Sequence, residues 1–400
     1  MKKHGIVILF LVFAFLNASP AIAHELSGFV GIEGRLFTND VLYNGQEKHN
    51  GSLVAQPEYY HELKDGLSFT FTPFARVDSI DSKRTHFDIR ELNLLYVSKD
   101  WELRAGIGKV FWGVTESQHL VDIINQTDLV ESLDFEEKLG QPMIQLSVPR
   151  DWGVLDLFVL PYFRERTYPG RKGRLRTPVP IDVGAADYES SLEEYHPDFA
   201  VRYSNTIGSW DMGLSYFRGT GREPTIVEGV NSVGEPTLTP LYEIINQLGL
   251  DLQLVTDEWL WKAESIYRNG QGDEDFMAST VGFEYTLSGV NLVTGNMEVG
   301  LLCEWLYDTR GEQATETFDN DIMLGTRLAF NDVSGTEALV GIIQDLDSAG
   351  RVLTLEGSRR IGNHWKARFE SFYVLDSSEE DYLHPVRKDN FIQLELQYYF

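Results

Sequence analysis

The feature that most constrains this chain is a strict alternation of apolar and polar residues within short segments. The final segment shows it without a fault. One of its faces carries Ile392, Leu394, Leu396, Tyr398 and Phe400, and the other carries Gln393, Glu395 and Gln397. A repeat of two residues is that of a β-strand, whose side chains point alternately to opposite sides. The segment is therefore predicted to be a strand with one apolar and one polar face.

The same alternation recurs upstream of the final strand. In one segment, an aromatic face with Trp365 and Phe369 opposes three charges, at Lys366, Arg368 and Glu370. Three charges on one face of a strand need water or mutual pairing. Repeated along the chain, the pattern predicts about eighteen strands, with sixteen as the alternative count. They lie near residues 26–38, 51–63, 67–79, 86–98, 101–111, 141–149, 152–164, 197–205, 209–218, 241–256, 258–268, 275–286, 297–308, 319–331, 336–345, 350–361, 364–375 and 389–400, although 241–249 could instead belong to a loop.

Two features indicate which face meets water. Alternation alone is also compatible with a soluble β-sandwich, which buries its apolar face. Here the apolar faces end in aromatic residues such as Trp152, Trp210 and Tyr307, as membrane interfaces favour. Tight turns such as 64–66 also alternate with long connections such as 165–196. The sequence therefore predicts an all-β fold, a transmembrane antiparallel up-and-down β-barrel with short periplasmic turns and long outer loops.

The first residues carry the parts of a secretory signal peptide. Lys2 and Lys3 precede an apolar run, and Ala21-Ile22-Ala23 follows it, so cleavage is predicted after residue 23. The apolar run is about a dozen residues long, shorter than the roughly 20 that a spanning helix needs. No linker or change of composition follows. Residues 1–23 are therefore predicted to be a signal peptide, and residues 24–400 a single barrel domain.

The last residues carry a second feature of outer-membrane barrels. The chain ends in Tyr398-Tyr399-Phe400, which resembles the C-terminal signal by which such barrels are recognised during their assembly. The resemblance implies the bacterial outer membrane as the location and its lipid as the surroundings. It also implies the barrel-assembly machinery as a partner that recognises Phe400. The lone cysteine, Cys303, excludes an internal disulfide.

The net charge of −27 limits the partners of the chain. It becomes −29 when the two lysines of the signal peptide are removed. Such a charge argues against nucleic acid or another polyanion as a partner. The histidines are scattered singly, and no nucleophile, metal or cofactor motif is found. The chain is therefore predicted to have no catalytic residue, no metal site and no cofactor.

A barrel of about eighteen strands encloses a lumen wide enough for water. Both signs of charge are predicted to line it. The predicted lining residues are Arg76, Arg104, Arg202, Lys262, Glu264, Glu284, Glu304, Asp321, Arg327, Glu356, Arg360, Lys366, Arg368 and Glu370. Opposed charges across a narrow pore create a transverse field, which admits ions without strong selectivity. The alternative is that neighbouring charges only pair along the wall, for example Glu304 with Arg327.

The connection at residues 114–140 is the best candidate for a functional element. Its apolar positions between His119 and Ile124 have helical spacing, and Thr115 and Thr127 are possible caps. Outside the barrel, this apolar side would be exposed to water. The loop is therefore predicted to fold into the lumen, carry a short helix and narrow the pore, with packing on the outer rim as the alternative. The residues predicted to form the constriction are His119, Asp122, Asn125, Asp128 and Glu131.

The same region resembles a known group of proteins. Residues 106–117 read Gly-Ile-Gly-Lys-Val-Phe-Trp-Gly-Val-Thr-Glu-Ser, and residues 122–129 read Asp-Ile-Ile-Asn-Gln-Thr-Asp-Leu. They resemble a Trp-Gly-Glu-Ser-like turn and an Ile-Asn-Pro-x-Asp-Leu-like stretch of poorly characterised proteobacterial outer-membrane barrels. Here Val114-Thr115 interrupts the first motif, and Gln126 replaces the proline of the second. The resemblance implies a porin-like protein or one that accompanies an export system.

Together these observations predict a porin-like channel for the passive diffusion of small polar or ionic solutes. The alternative is a conduit or accessory barrel of an export system for lipid, polysaccharide or hydrophobic compounds. An outer-membrane enzyme is disfavoured, because such sites need clustered serine or aspartate and histidine side chains. An energised receptor is also disfavoured, because the first predicted strand begins close to the cleavage site and leaves no room for a plug domain.

Overall fold

The computed structural model describes residues 24–132, 134–230, 234–291, 296–315, 317–379 and 381–400. Within them, eighteen strands pair in one antiparallel sheet. These barrel strands are β1 (His24–Phe37), β2 (His49–Lys64), β3 (Leu67–Asp78), β4 (His86–Val97), β5 (Glu102–Gly108), β6 (Gln141–Arg150), β7 (Gly153–Leu160), β9 (Asp198–Ile207), β10 (Trp210–Thr220), β13 (Ile244–Thr256), β14 (Trp259–Asn269), β15 (Phe276–Val290), β16 (Met297–Asp308), β17 (Asn320–Ala329), β18 (Glu337–Asp345), β19 (Arg351–Ile361), β20 (Trp365–Asp376) and β21 (Phe391–Tyr399). The short strands β8 (Asp187–Tyr188), β11 (Thr225–Val230) and β12 (Pro236–Tyr242) form a separate sheet within two loops.

Helical structure is limited, in the described ranges, to four 3-10 turns. They are Val183–Ala185, Glu193–Tyr195, Gly311–Gln313 and His384–Val386. None of the described helices is long and apolar enough to cross a membrane.

The sheet closes on itself because the first strand pairs with the last. β1 and β21 run antiparallel, with Phe37 opposite Phe391 at one end and Phe29 opposite Tyr399 at the other. β1 also pairs with β2, and each later barrel strand pairs with the next one along the chain. A closed sheet of this kind has no free edge, so its backbone N–H and C=O groups can be satisfied without water.

The outer surface of the barrel is apolar. Exposed outward side chains include Leu214, Leu250 and Leu324, each of which is at least 40% exposed. Aromatic side chains cluster toward the strand ends, where Trp259 stacks on Trp261 with ring centroids 5.3 Å apart. Because large apolar side chains in these positions avoid water, this surface is suited to lipid with aromatic belts at the interfaces.

Connections differ in length between the two ends of the barrel. At one end, β2 and β3 are joined by Asp65 and Gly66 alone. Gly66 has φ +73°, and a Cβ there would lie 2.4 Å from the Val97 carbonyl oxygen, so only glycine fits this turn. At the other end lie the loops 109–140, 161–197 and 221–243. This asymmetry is the one predicted from the sequence.

The predicted antiparallel barrel of eighteen strands is confirmed, with small differences at strand ends. β5 ends at Gly108, where the Asn125 side chain donates to the Gly108 carbonyl oxygen and accepts from the Val110 amide in place of a neighbouring strand. β7 ends at Leu160, because Pro161 follows it and has no N–H for the ladder. The ambiguous segment 241–249 divides between β12 and β13. The predicted signal peptide, residues 1–23, lies outside the described residues.

Candidate functional site in the barrel lumen

The loop between β5 and β6, residues 109–140, lies inside the barrel. Val121 is wholly buried and belongs to one apolar cluster with Phe217 of β10 and Ile266 of β14. Those strand residues point inward, since Tyr216, next to Phe217, is exposed on the outer face. The apolar side of the loop is therefore covered by the inner wall, as its composition requires.

Glu264 on β14 anchors the beginning of the loop. Its carboxylate is wholly buried and accepts hydrogen bonds from the amides of Val114, Thr115 and Val121 at 2.6, 3.0 and 3.2 Å. It also accepts one from the Thr115 hydroxyl at 2.8 Å. Buried backbone amides need acceptors, and charged acceptors form the stronger bonds. One wall carboxylate therefore holds two separate parts of the loop.

Glu304 on β16 anchors the adjacent residues. Its carboxylate accepts hydrogen bonds from the amides of Glu116 and Ser117, each at 2.8 Å. The Glu116 carboxylate in turn pairs with Arg327 of β17 at 2.5 Å. The sequence suggested a direct pair of Glu304 with Arg327, but the partners of Arg327 are the Glu116 carboxylate of the loop and, at 3.5 Å, the Glu284 carboxylate of the wall. The Glu304 carboxylate instead accepts hydrogen bonds from the loop backbone.

The end of the loop is anchored on the opposite wall. Arg76 of β3 pairs with Glu131 at 2.6 Å, and Arg90 of β4 pairs with Asp128 at 2.7 Å. In the ring of eighteen strands β4 is the fourth and β16 the thirteenth, so they stand nine places apart and face each other. The loop therefore crosses the lumen from wall to wall.

The short helix predicted in this loop is absent from its described residues. The side chain of Asn125 instead ties together both ends of the loop. Asn125 is 1% exposed, accepts a hydrogen bond from the Val110 amide at 2.9 Å, and donates to the carbonyl oxygens of Gly108 and Leu139 at 2.9 and 2.8 Å. The apolar spacing therefore reflects contact with the wall, and of the predicted helix only isolated turns are present, such as the one closed by the Asp122 amide and the His119 carbonyl oxygen at 3.2 Å.

Four of the five residues predicted to form the constriction hold the loop together. They are Asp122, Asn125, Asp128 and Glu131, all of them buried. Asp122 accepts a hydrogen bond from the Trp112 amide at 3.3 Å, and its carboxylate lies 3.3 Å from the Lys138 ammonium. Loop backbone, Lys138 and wall arginines therefore engage these side chains, and Asp122 and Asn125 also border a cavity of about 100 Å³ between the loop and the wall of β14 to β16. The conspicuous polar residues of segment 122–129 have a structural role here.

His119, the fifth predicted constriction residue, lies between two carboxylates. Its Nε2 is 3.8 Å from Glu136 of the same loop, and its Nδ1 is 3.9 Å from Glu264. Burial disfavours the charged imidazolium, but the two carboxylates outweigh it and raise the pKa of His119 to about 9. At neutral pH this histidine is therefore a cation that ties the loop to the wall.

We expect the loop to loosen as pH rises through about 9. A histidine with a raised pKa stabilises the folded loop fully below its ordinary pKa of about 6.5, and this contribution disappears above the raised value. Current fluctuations in single-channel records should therefore increase between pH 7 and pH 10. The His119→Gln variant should fluctuate at both pH values. Identical pH dependence in the variant and the native protein would contradict this role of His119.

A second loop, residues 161–197, covers the lumen on the outer side. Its Arg174 pairs with Asp389 beside β21 at 2.6 Å, and its Gly170 amide donates to Asp81 between β3 and β4 at 2.9 Å. The loop starts at β7, so these contacts carry it across the barrel mouth. The sequence prediction missed this role. Six basic residues between positions 164 and 176 of a strongly acidic chain were the available signal.

Open space remains beside the wall formed by β17 to β20. A cavity of about 360 Å³ lies at its outer end, bordered by Asp321, Asp345 and Tyr382 among others. Further along this wall, Glu356 and Arg368 are exposed although their strands place them on the inner face. Their direction follows from the register, in which Arg368 lies opposite Glu395 and Glu395 opposite the inward-pointing Glu33. Exposed charges on an inner face indicate water.

The predicted lining residues divide by exposure. Four are buried beneath the loop or within ion pairs, namely Arg76, Lys262, Glu264 and Glu304. Six are partly buried, namely Arg104, Arg202, Glu284, Arg327, Lys366 and Glu370, and three are exposed, namely Glu356, Arg360 and Arg368. Asp321 is buried but borders the outer cavity. The prediction is corrected for the four buried residues, because the inserted loop separates them from open water.

Comparisons with known proteins found similarity of structure only. No protein-family model matches the chain, and no curated protein sequence matches it. A loop-deletion mutant of OmpT, an outer membrane protein of Vibrio cholerae, is 9% identical over 94% of this chain and 99% of its own, with a TM-score of 0.48. A mutant of Rh. blastica porin is 14% identical over 94% of this chain and 100% of its own, with a TM-score of 0.46.

The location of the protein follows from its own architecture. A closed antiparallel sheet, an apolar outer band with aromatic belts and a charged interior are the properties of a barrel that spans a bacterial outer membrane. The chain is an outer-membrane β-barrel.

Proposed function

We propose that the protein is a channel for the passive diffusion of small polar or ionic solutes. One observation carries the proposal: along the wall of β17 to β20, inward-pointing charged side chains such as Glu356 and Arg368 stay exposed, although loops cover the opposite wall. Charged groups in a lumen are stable when hydrated, and a hydrated lumen is a path for solutes. No catalytic residue, cofactor or metal ion is needed.

The anchored loops favour small solutes over an exported polymer or lipid. Loop 109–140 is fixed to both walls through buried carboxylates and arginines. Loop 161–197 is fixed to the far rim through Arg174 and Asp389. A bulky substrate would have to break these buried ion pairs, each of which is strongly destabilising to disrupt. Small ions and polar solutes need no such movement.

We also propose that the assembly machinery of the outer membrane recognises the terminal strand through Phe400. In support, β21 closes the ring, and the Phe400 amide donates to the Gly28 carbonyl oxygen at the seam.

Recording in planar lipid bilayers tests the channel. Purified, refolded protein should produce discrete conductance steps in potassium chloride. Heat-modifiable mobility in gel electrophoresis should first establish that the barrel is folded. A folded preparation that leaves the membrane silent would overturn the channel proposal.

A further inference from the structure

The wall left open by the loops carries two pairs of carboxylates in which like charges face each other. Asp321 of β17 lies directly opposite Asp345 of β18, near the outer end. Glu356 of β19 lies directly opposite Glu370 of β20, nearer the middle of the barrel. Like charges directly opposite each other destabilise a sheet. Their occurrence twice on the same stretch of wall therefore runs against what stability alone favours.

The two carboxylate pairs lie one after the other along the open wall of β17 to β20. Glu356 is opposite Leu339, six residues along β18 from Asp345, which corresponds to roughly 20 Å of strand. Between these levels the inner face carries uncharged residues such as Gly341, Thr354 and Val352. The wall therefore presents two acidic levels separated by an uncharged stretch.

Several bases on the covered walls are paired with acids. Arg84 binds Glu33 at 2.7 Å and Arg222 binds Asp198 at 2.7 Å, all four side chains being buried. The outer cavity differs in composition. Of the described residues that border it, Asp319, Asp321, Asp345, Asp347, Asp376 and Asp381 are acidic, whereas Arg351 is basic. Acids therefore predominate around the outer cavity.

The inner level is also acidic on balance. The tip of loop 109–140 presents two exposed carboxylates, Asp134 and Glu136. The wall adds Glu356 and Glu370, and Arg368 is the exposed base beside them, while the His119 imidazolium lies 3.8 Å from Glu136. A basic level follows four residues further along the strands, where Arg360 of β19 lies directly opposite Lys366 of β20. Arg327, close by, is paired with the Glu116 carboxylate. Fields of one sign are strengthened in a narrow space between low-dielectric walls.

We infer that the open route along β17 to β20 conducts cations in preference to anions, with Glu356 and Glu370 as the residues that determine this selectivity. The inference rests on the proposed channel function and goes beyond it by naming the class of solute, namely small inorganic cations and ammonium compounds. A cation near the paired carboxylates relieves their mutual repulsion, whereas an anion increases it.

Reversal potentials in a potassium chloride gradient test the inference. The native channel should be more permeable to K⁺ than to Cl⁻, and the preference should decline at about 1 M salt, where charges are screened beyond roughly 3 Å. The double variant Glu356→Gln, Glu370→Gln should lower the K⁺ to Cl⁻ permeability ratio several-fold. Because it removes a repulsion, this variant should fold at least as well as the native barrel.

The matched control is Glu228→Gln with Glu274→Gln, which removes the same charge from exposed loop positions away from the outer cavity. Its permeability ratio should equal that of the native channel. Conductance steps without cation preference would overturn this inference and leave the channel proposal intact, whereas a silent membrane would overturn the channel itself. Cation preference that persists in the Glu356 and Glu370 variant would overturn the assignment to these two residues.

Discussion

Deleting residues 118–136 is expected to raise the single-channel conductance several-fold. These residues form the middle of the loop that crosses the lumen, so their removal opens the space between two opposite walls. The strands should pair as before, because the barrel is closed by its own ladder and not by the loop. Single-channel recording in planar bilayers gives the measurement.

The control for this deletion is a shortening of the outer hairpin by removal of residues 228–237. This segment includes the end of β11 and the beginning of β12, which belong to a sheet separate from the barrel. Its removal should leave the conductance unchanged. An unchanged conductance after deletion of 118–136, in a barrel that is folded, would eliminate the loop as the constriction.

Replacing Glu264 by alanine is expected to release the first half of the loop. The change removes the acceptor for three backbone amides and one hydroxyl. Each buried donor left unpaired costs about 1–3 kcal/mol, and water entering from the lumen offsets part of it, so we expect the loop to lose roughly 3–5 kcal/mol. Amide hydrogen exchange should become much faster at residues 114–121 and remain slow in the strands.

Two variants make the Glu264 experiment specific. Glu264→Gln keeps one carbonyl acceptor and should give intermediate exchange. Glu298→Ala removes an exposed carboxylate from β16 and should leave exchange at 114–121 as in the native protein. If Glu264→Ala left these amides as protected as in the native protein, the anchor assigned to this carboxylate would be wrong.

Both experiments change the loop and leave the barrel intact, because the two are held by different interactions. Strand pairing satisfies the barrel backbone, whereas the loop backbone depends on individual side chains such as Glu264, Glu304 and Asn125. The loop can therefore be altered by single substitutions that the ladder of the barrel tolerates. Inward-facing residues of the open wall can be substituted with still less effect on folding. Their contribution to ion selectivity can therefore be tested by mutation.

The sequence by itself determined the barrel. Segments such as 392–400 alternate with a period of two, and only a closed sheet lets such strands place one face in lipid without leaving backbone groups unpaired. Alternation also specified the direction of each side chain, so Glu264, Arg327 and Glu356 were all predicted on the inner face. The apolar residues around Val121 likewise predicted that their loop turns inward.

Only the tertiary structure decided which inward residues meet water. Glu264 and Glu356 look alike in sequence, each a glutamate on the polar side of a strand, yet Glu264 is wholly buried under the loop and Glu356 is exposed to the lumen. The loop that separates them follows contacts between positions about 150 residues apart, such as Thr115 with Glu264. The direction of a side chain is a local property of the strand. What lies opposite it across the ring depends on closure of the whole barrel and on the path of its loops.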